Sequence, residues 1–187
     1  SPVSRWIDAS LTRWGRCVCV AAGNAGQEKP ESPEDTGFIF GRIHSSGTIA
    51  ARELTAEIEW NVVGNGIADL SENELEIWYS PADRFSVQVK PPGSAWSERI
   101  QPGEFIENRQ LPDGSMLSVY NQLYHSANGA NLIAVYLSPF LEVPLVGVTA
   151  GEWLVRLNGE EVRDGRYNCW IERDDPRRVG RVGMRES

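Results

Sequence analysis

Few residues in this chain have the type and setting for chemistry. Asn24 closes the run Cys17–Gly26, CVCVAAGNAG, where small and β-branched apolar residues give way abruptly to Gly, Asn and a polar loop. An apolar run without alternation predicts a strand buried on both faces, as in a parallel sheet. A polar residue at the C-terminal end of such a strand stands where catalytic groups gather in open α/β sheets. Asn also caps turns after strands, so both roles stay open on these residues alone. The histidines are His44 in RIHSSG and His125 in LYHSAN. No Ser sits in a strand-elbow motif, so neither histidine is expected to build a Ser/His/Asp triad. Cys17, Cys19 and Cys169 form an odd set without metal-ligand spacing. Cys17 and Cys19, two apart on one strand, would share a face without bridging, and free cysteines are expected as small buried hydrophobes.

The elements that must position these residues change character along the chain. Val3, Trp6, Ile7, Leu11 and Trp14 fall at helical spacing, Pro2 suits a first turn, and Gly15 sits where a helix would stop. Because Ser1 opens inside this helix, the true N-terminus is expected elsewhere, and no signal peptide is visible. Gln27–Gly37, QEKPESPEDTG, has no apolar residue and reads as a surface linker. Its acidic residues lack the regular oxygen-ligand spacing of a calcium loop. From Phe38 the period becomes two. Ile58, Trp60 and Val62 alternate with polar neighbours, as do Leu75, Ile77 and Tyr79, and Phe85, Val87 and Val89.

Turn chemistry separates these runs at Gly64-Asn65-Gly66, Ser80-Pro81-Ala82-Asp83, Pro91-Pro92-Gly93, Pro112-Asp113-Gly114 and Asn128-Gly129. Further strands are expected at Phe38–His44, Phe105–Gln110, Met116–Leu123, Leu132–Leu137, Trp153–Asn158 and Tyr167–Glu172. About nine strands at this spacing predict a mainly β fold, an antiparallel β-sandwich or jelly roll, behind a short helix–strand appendage. The chain of 187 residues, 41% hydrophobic and 24% charged, is long enough for a real core. Its net charge of −8, from 18 Lys+Arg against 26 Asp+Glu, argues against nucleic acid as a partner. No apolar run approaches the roughly 20 residues of a membrane-spanning helix.

At VAAGNAG the sequence resembles the segment of subtilisin-like serine proteases (subtilases, peptidase family S8) that carries the oxyanion-hole asparagine, here Asn24. The resemblance implies that the Asn24 amide donates to the oxyanion of a tetrahedral intermediate. The family's Asp, its HGT-type His and its GTS-type Ser have no counterparts. Gly47-Thr48-Ile49 comes nearest to the last, but isoleucine cannot attack a carbonyl. Two stretches extend the likeness. Asp69–Tyr79, DLSENELEIWY, and Gly151-Glu152-Trp153 with Gly165–Ile171, GRYNCWI, resemble β-rich inserts of some bacterial subtilases.

The resemblance implies a chain in four parts: residues 1–26 from the catalytic domain, a linker at 27–37, a β-sandwich insert at 38–172 and an exit linker at 173–187. It implies a non-catalytic accessory piece of a serine endopeptidase, acting on stability or substrate positioning, whose parent performs Ser/His/Asp acyl transfer. Its partners would be the rest of the protease domain and a protein or peptide substrate. Neither cofactor nor metal is expected. The exposed helix–strand appendage would also favour self-association. Arg177, Arg178, Arg181 and Arg185 are expected to be solvated or to anchor an acidic partner. Trp60, Trp153 and Trp170 are expected to point into the sandwich core. The alternative is a stand-alone jelly-roll module for carbohydrate or protein, with an aromatic platform and AAGN as coincidence.

Overall fold

A computed structural model describes residues 6–7, 9–19, 44–171, 177–179 and 184–186. Strand alternation dominates it. The strands are β1 (His44–Thr48), β2 (Thr55–Val62), β3 (Ala68–Asp69), β4 (Asn73–Tyr79), β5 (Arg84–Lys90), β6 (Phe105–Gln110) and β7 (Met116–Gln122). They continue with β8 (Asn131–Ser138), β9 (Val148–Thr149), β10 (Gly151–Glu161), β11 (Arg166–Ile171), β12 (Arg177–Val179) and β13 (Met184–Glu186). A six-stranded antiparallel sheet, in the order β1-β11-β4-β8-β7-β6, faces a three-stranded sheet in the order β2-β10-β5. The short pairs β3–β9 and β12–β13 stand apart. The fold is a mainly β, antiparallel sandwich.

Period-two patterning puts one row of each strand between the sheets. Leu75, Ile77 and Tyr79 of β4, Phe85, Val87 and Val89 of β5, and Trp153, Val155 and Leu157 of β10 are buried together. Two buried aromatic polar tips have partners, as burial favours. The Trp153 Nε1 donates to the Thr149 carbonyl at 2.9 Å. The Tyr79 hydroxyl donates to Asn121 Oδ1 at 3.3 Å, while its ring stacks on Phe85 at 4.5 Å.

One end of the sandwich is tied by a buried carboxylate. The Asp83 side chain, fully buried in the β4–β5 turn, accepts backbone N–H bonds from Arg163 (2.5 Å), Asp164 (2.9 Å) and Gly165 (2.9 Å) in the β10–β11 turn. Gly165 has φ +76°, and a Cβ there would collide with the Ile49 carbonyl oxygen. Only glycine lets the turn close on both neighbours. In the six-stranded sheet β1 pairs antiparallel with β11, so His44 lies opposite Trp170.

Several expectations need correction. Trp170 faces outward at 40% exposure, because Tyr167 and Cys169 occupy the inward row of β11. Cys169 is buried as expected, its thiol near the Ser45 carbonyl at 3.4 Å, but Cys17 and Cys19 are exposed. Arg16–Cys19 carry no strand pairing, and an apolar run without a neighbouring strand has nothing to bury it. Helical turns at 6–7 and 9–10 match the expected helix, yet Trp6 and Trp14 are exposed. The first strand among the described residues begins at His44; the rest of the expected Phe38–His44 strand, Phe38–Ile43, lies outside them. Within the stretch expected as an exit linker, β12 and β13 pair antiparallel.

Candidate functional site

Asn24 lies outside the described residues. Both histidines are engaged with groups other than a nucleophile. His44 Nε2 lies 3.1 Å from Asn168 Oδ1, and its ring packs on Trp170 at 4.7 Å. His125 Nδ1 accepts the Ala127 amide at 3.3 Å while its ring meets Trp78 edge-on at 5.1 Å. Ile49 of the GTI triplet is a core side chain at 1% exposure. No cluster of metal-ligating side chains occurs among the described residues. Burial pushes the Cys169 thiol above its ordinary range, with partial relief from its hydrogen bonding to Ser45, so it is a poor nucleophile.

The Asp-x-Ser-x-Asn motif has a local purpose. Asp69 Oδ1 accepts the Ser71 amide (2.9 Å) and hydroxyl (2.8 Å), and Oδ2 accepts the Asn73 amide group at 2.8 Å. Asp113 repeats the arrangement with Ser115 and also accepts the Thr149 hydroxyl at 2.7 Å. Both are side-chain-closed turns that launch a strand.

What the strands bring together is the outer face of the six-stranded sheet. Register aligns Trp170, Glu76, Ala134, Tyr120 and Phe105 in one row across β11, β4, β8, β7 and β6. The next row sets Glu74 beside Tyr136 and Ser118. Ala134, only 5% exposed, forms a low floor between larger neighbours. The Tyr120 ring packs on Tyr136 at 6.0 Å and 80°, and on Phe105 at 6.1 Å and 14°.

Carboxylates alternate with these rings. Glu76 accepts Trp78 Nε1 at 2.8 Å, Glu107 accepts the Tyr120 hydroxyl at 2.7 Å, and Glu72 accepts the Ser138 hydroxyl at 2.9 Å. Burial, a hydrogen bond to Glu74, and the charges of Glu74, Glu76 and Glu72 together push the Tyr136 hydroxyl far above its ordinary range. Tyr120 is raised too, chiefly by its bond to Glu107. These two hydroxyls therefore stay neutral donors. Glu72, Glu74, Glu76 and Trp78 stand at every second position in the sequence, which was the available signal. Their union with Tyr120, Tyr136, Phe105 and Glu107 depends on strand order.

A second surface lies at the end opposite Asp83. Ile67 (80%), Leu141 (71%), Val143 (98%) and Leu145 (57%) are exposed on segments flanking the β3–β9 pair. That much aliphatic surface at one end exceeds the scattered singles of an ordinary exterior.

No known protein family matches the chain by sequence, and no curated protein is similar to it. Among solved structures the chain is similar in fold to the CspB protease of Clostridium perfringens, at a TM-score of 0.54 and 17% identity. The likeness covers 69% of this chain and 25% of that one, so the chain spans about a quarter of the protease it resembles. The chain shares its fold with that quarter of the protease.

Proposed function

We propose that this chain is a non-catalytic accessory β-sandwich of a subtilisin-like serine endopeptidase, carrying the oxyanion asparagine at Asn24 and serving stability or substrate positioning. The observation that supports it most is the shared fold with a quarter of a larger protease, joined to the AAGN segment and the two insert-like stretches. Among the described residues neither histidine is hydrogen-bonded to a serine hydroxyl, which suits an accessory role. In this reading the aliphatic end near Ile67 and Val143 packs on the catalytic domain, which would remove that surface from water.

A sugar-binding module is the less supported alternative. A sugar platform needs broad ring faces lying flat, whereas Tyr120 and Tyr136 meet at 80° and Trp78 is capped edge-on by His125.

Reading the coding sequence on both sides tests the proposal. Asp and HGT-type motifs upstream with a GTS-type motif downstream support it, and a flanking sequence without them overturns it. The isolated chain should also resist labelling by a fluorophosphonate probe. Stoichiometric labelling at any serine would contradict the accessory role.

A further inference from the structure

We infer that the outer face of the six-stranded sheet docks an extended, cationic polypeptide segment with Lys or Arg at alternate positions. Spacing is the first argument. Glu72, Glu74 and Glu76 recur every second residue along and just before β4, a repeat of about 7 Å, which is the repeat of same-side side chains in any extended peptide. Charge is the second. Glu72, Glu76 and Glu107 receive hydrogen bonds from neutral donors, and none of the ion pairs among the described residues uses them. The cationic side chain at this face's rim, Arg166, is bound to Asp164 at 2.7 Å, and His44 is engaged with Asn168.

Shape is the third argument. Ala134 leaves a shallow floor with Glu76 on one side and Tyr120 on the other. Aromatic rings beside carboxylates suit alkylammonium and guanidinium groups, which gain from both ring face and charge. An acidic or purely apolar partner would leave these carboxylates without compensation.

Under the protease reading such a segment would belong to a protein substrate, and only that attribution rests on it. Docking itself is tested on this chain alone, so the two ideas fail separately. The experiment measures fluorescence anisotropy of fluorescein-labelled octa-arginine and octa-lysine, with octa-glutamate and maltoheptaose in parallel. Binding of the cationic peptides should weaken roughly tenfold between low and moderate salt. The triple change Glu72→Gln, Glu76→Gln and Glu107→Gln should weaken it at least about tenfold. Removing equal charge elsewhere, with Glu59→Gln, Glu142→Gln and Glu152→Gln, should change it less than about twofold. Amide chemical-shift mapping on the unaltered chain gives an independent readout, with shifts expected along β4, β7 and β8. The inference is overturned if cationic peptides do not bind, if both triple variants weaken binding equally, if shifts fall on β2 and β10, or if only maltoheptaose binds.

Discussion

Replacing Asp83 by alanine is the sharpest test of how this fold holds together. The carboxylate accepts three main-chain N–H bonds from residues 163–165 and is fully buried. A hydrogen bond to a charged group contributes about 1.5–3 kcal/mol net, and an orphaned buried donor costs about 1–3 kcal/mol. Three such bonds at the lower figure give about 4.5 kcal/mol. Relief of the carboxylate's own burial and partial hydration of the turn reduce this, so a loss of roughly 4 kcal/mol is expected for Asp83→Ala. With a urea slope of about 2 kcal/mol/M, the midpoint should fall by about 2 M, read by tryptophan fluorescence. Asp83→Asn should lie between, because its oxygen can keep two bonds while its amide meets a third donor. Since the turn also sets β11, the exposed Trp170 should report the loosening early. A midpoint shift below about 0.3 M for Asp83→Ala would falsify the idea that this carboxylate joins the two turns.

Other outcomes follow from the same geometry. Trp153→Ala should cost about 3–5 kcal/mol in urea unfolding, whereas Trp170→Ala on the outer face should cost less than about 1 kcal/mol. Burial pushes the Tyr79 hydroxyl up to about 12, against partial relief from its contact with Phe85 and from Arg84. The fold therefore favours the neutral phenol, and its contribution of about 3 kcal/mol is complete below pH ~10 and lost as pH rises through ~12. Tyr79→Phe should flatten that alkaline limb of stability without changing the neutral-to-acid side. Under the proposed protease reading, Asn24→Ala in the parent enzyme should lower kcat by about 10²–10³ with KM nearly unchanged, a magnitude known from subtilisin itself. An unchanged kcat would make Asn24 a turn residue.

The sandwich was legible wherever one residue class kept to one parity. Ile58-x-Trp60-x-Val62 and Phe85-x-Val87-x-Val89 left only one face to bury, and they are buried. In β11 the parities compete, with Tyr167 and Cys169 on one side and Trp170 on the other. Size pointed to Trp170, while the strand's register favoured the cysteine row. The pairs β3–β9 and β12–β13, of two and three residues per strand, are too short to show any period. Cys17 and Cys19 looked buried because composition describes what a strand prefers, not whether a neighbour is there to satisfy it. For the docking face, the glutamate alternation near β4 could be read directly. Its completion by Tyr120, Phe105 and Glu107 could not, because contacts between β4 and β6 pass through β8 and β7 in an order no local pattern encodes.

The pairing of β1 with β11 has a consequence for whatever polypeptide surrounds this sandwich. His44 and Trp170 lie opposite each other, so the chain comes in and goes out through adjacent strands, about 5 Å apart. For a host protein, a sandwich with its two threads so close is equivalent to a short surface loop. Joining the host's two ends across it demands little closure entropy, since that cost depends on the span bridged and only weakly on the residues between. Such a unit can lengthen or shorten at the loops of its far end, including 123–130 beside the Asp83 turn, without pulling on the host. The same closeness makes circular permutation practicable: a short Gly/Ser link from Ile171 back to His44, with new termini at the exposed Asn128-Gly129 turn, should preserve every strand pairing of both main sheets.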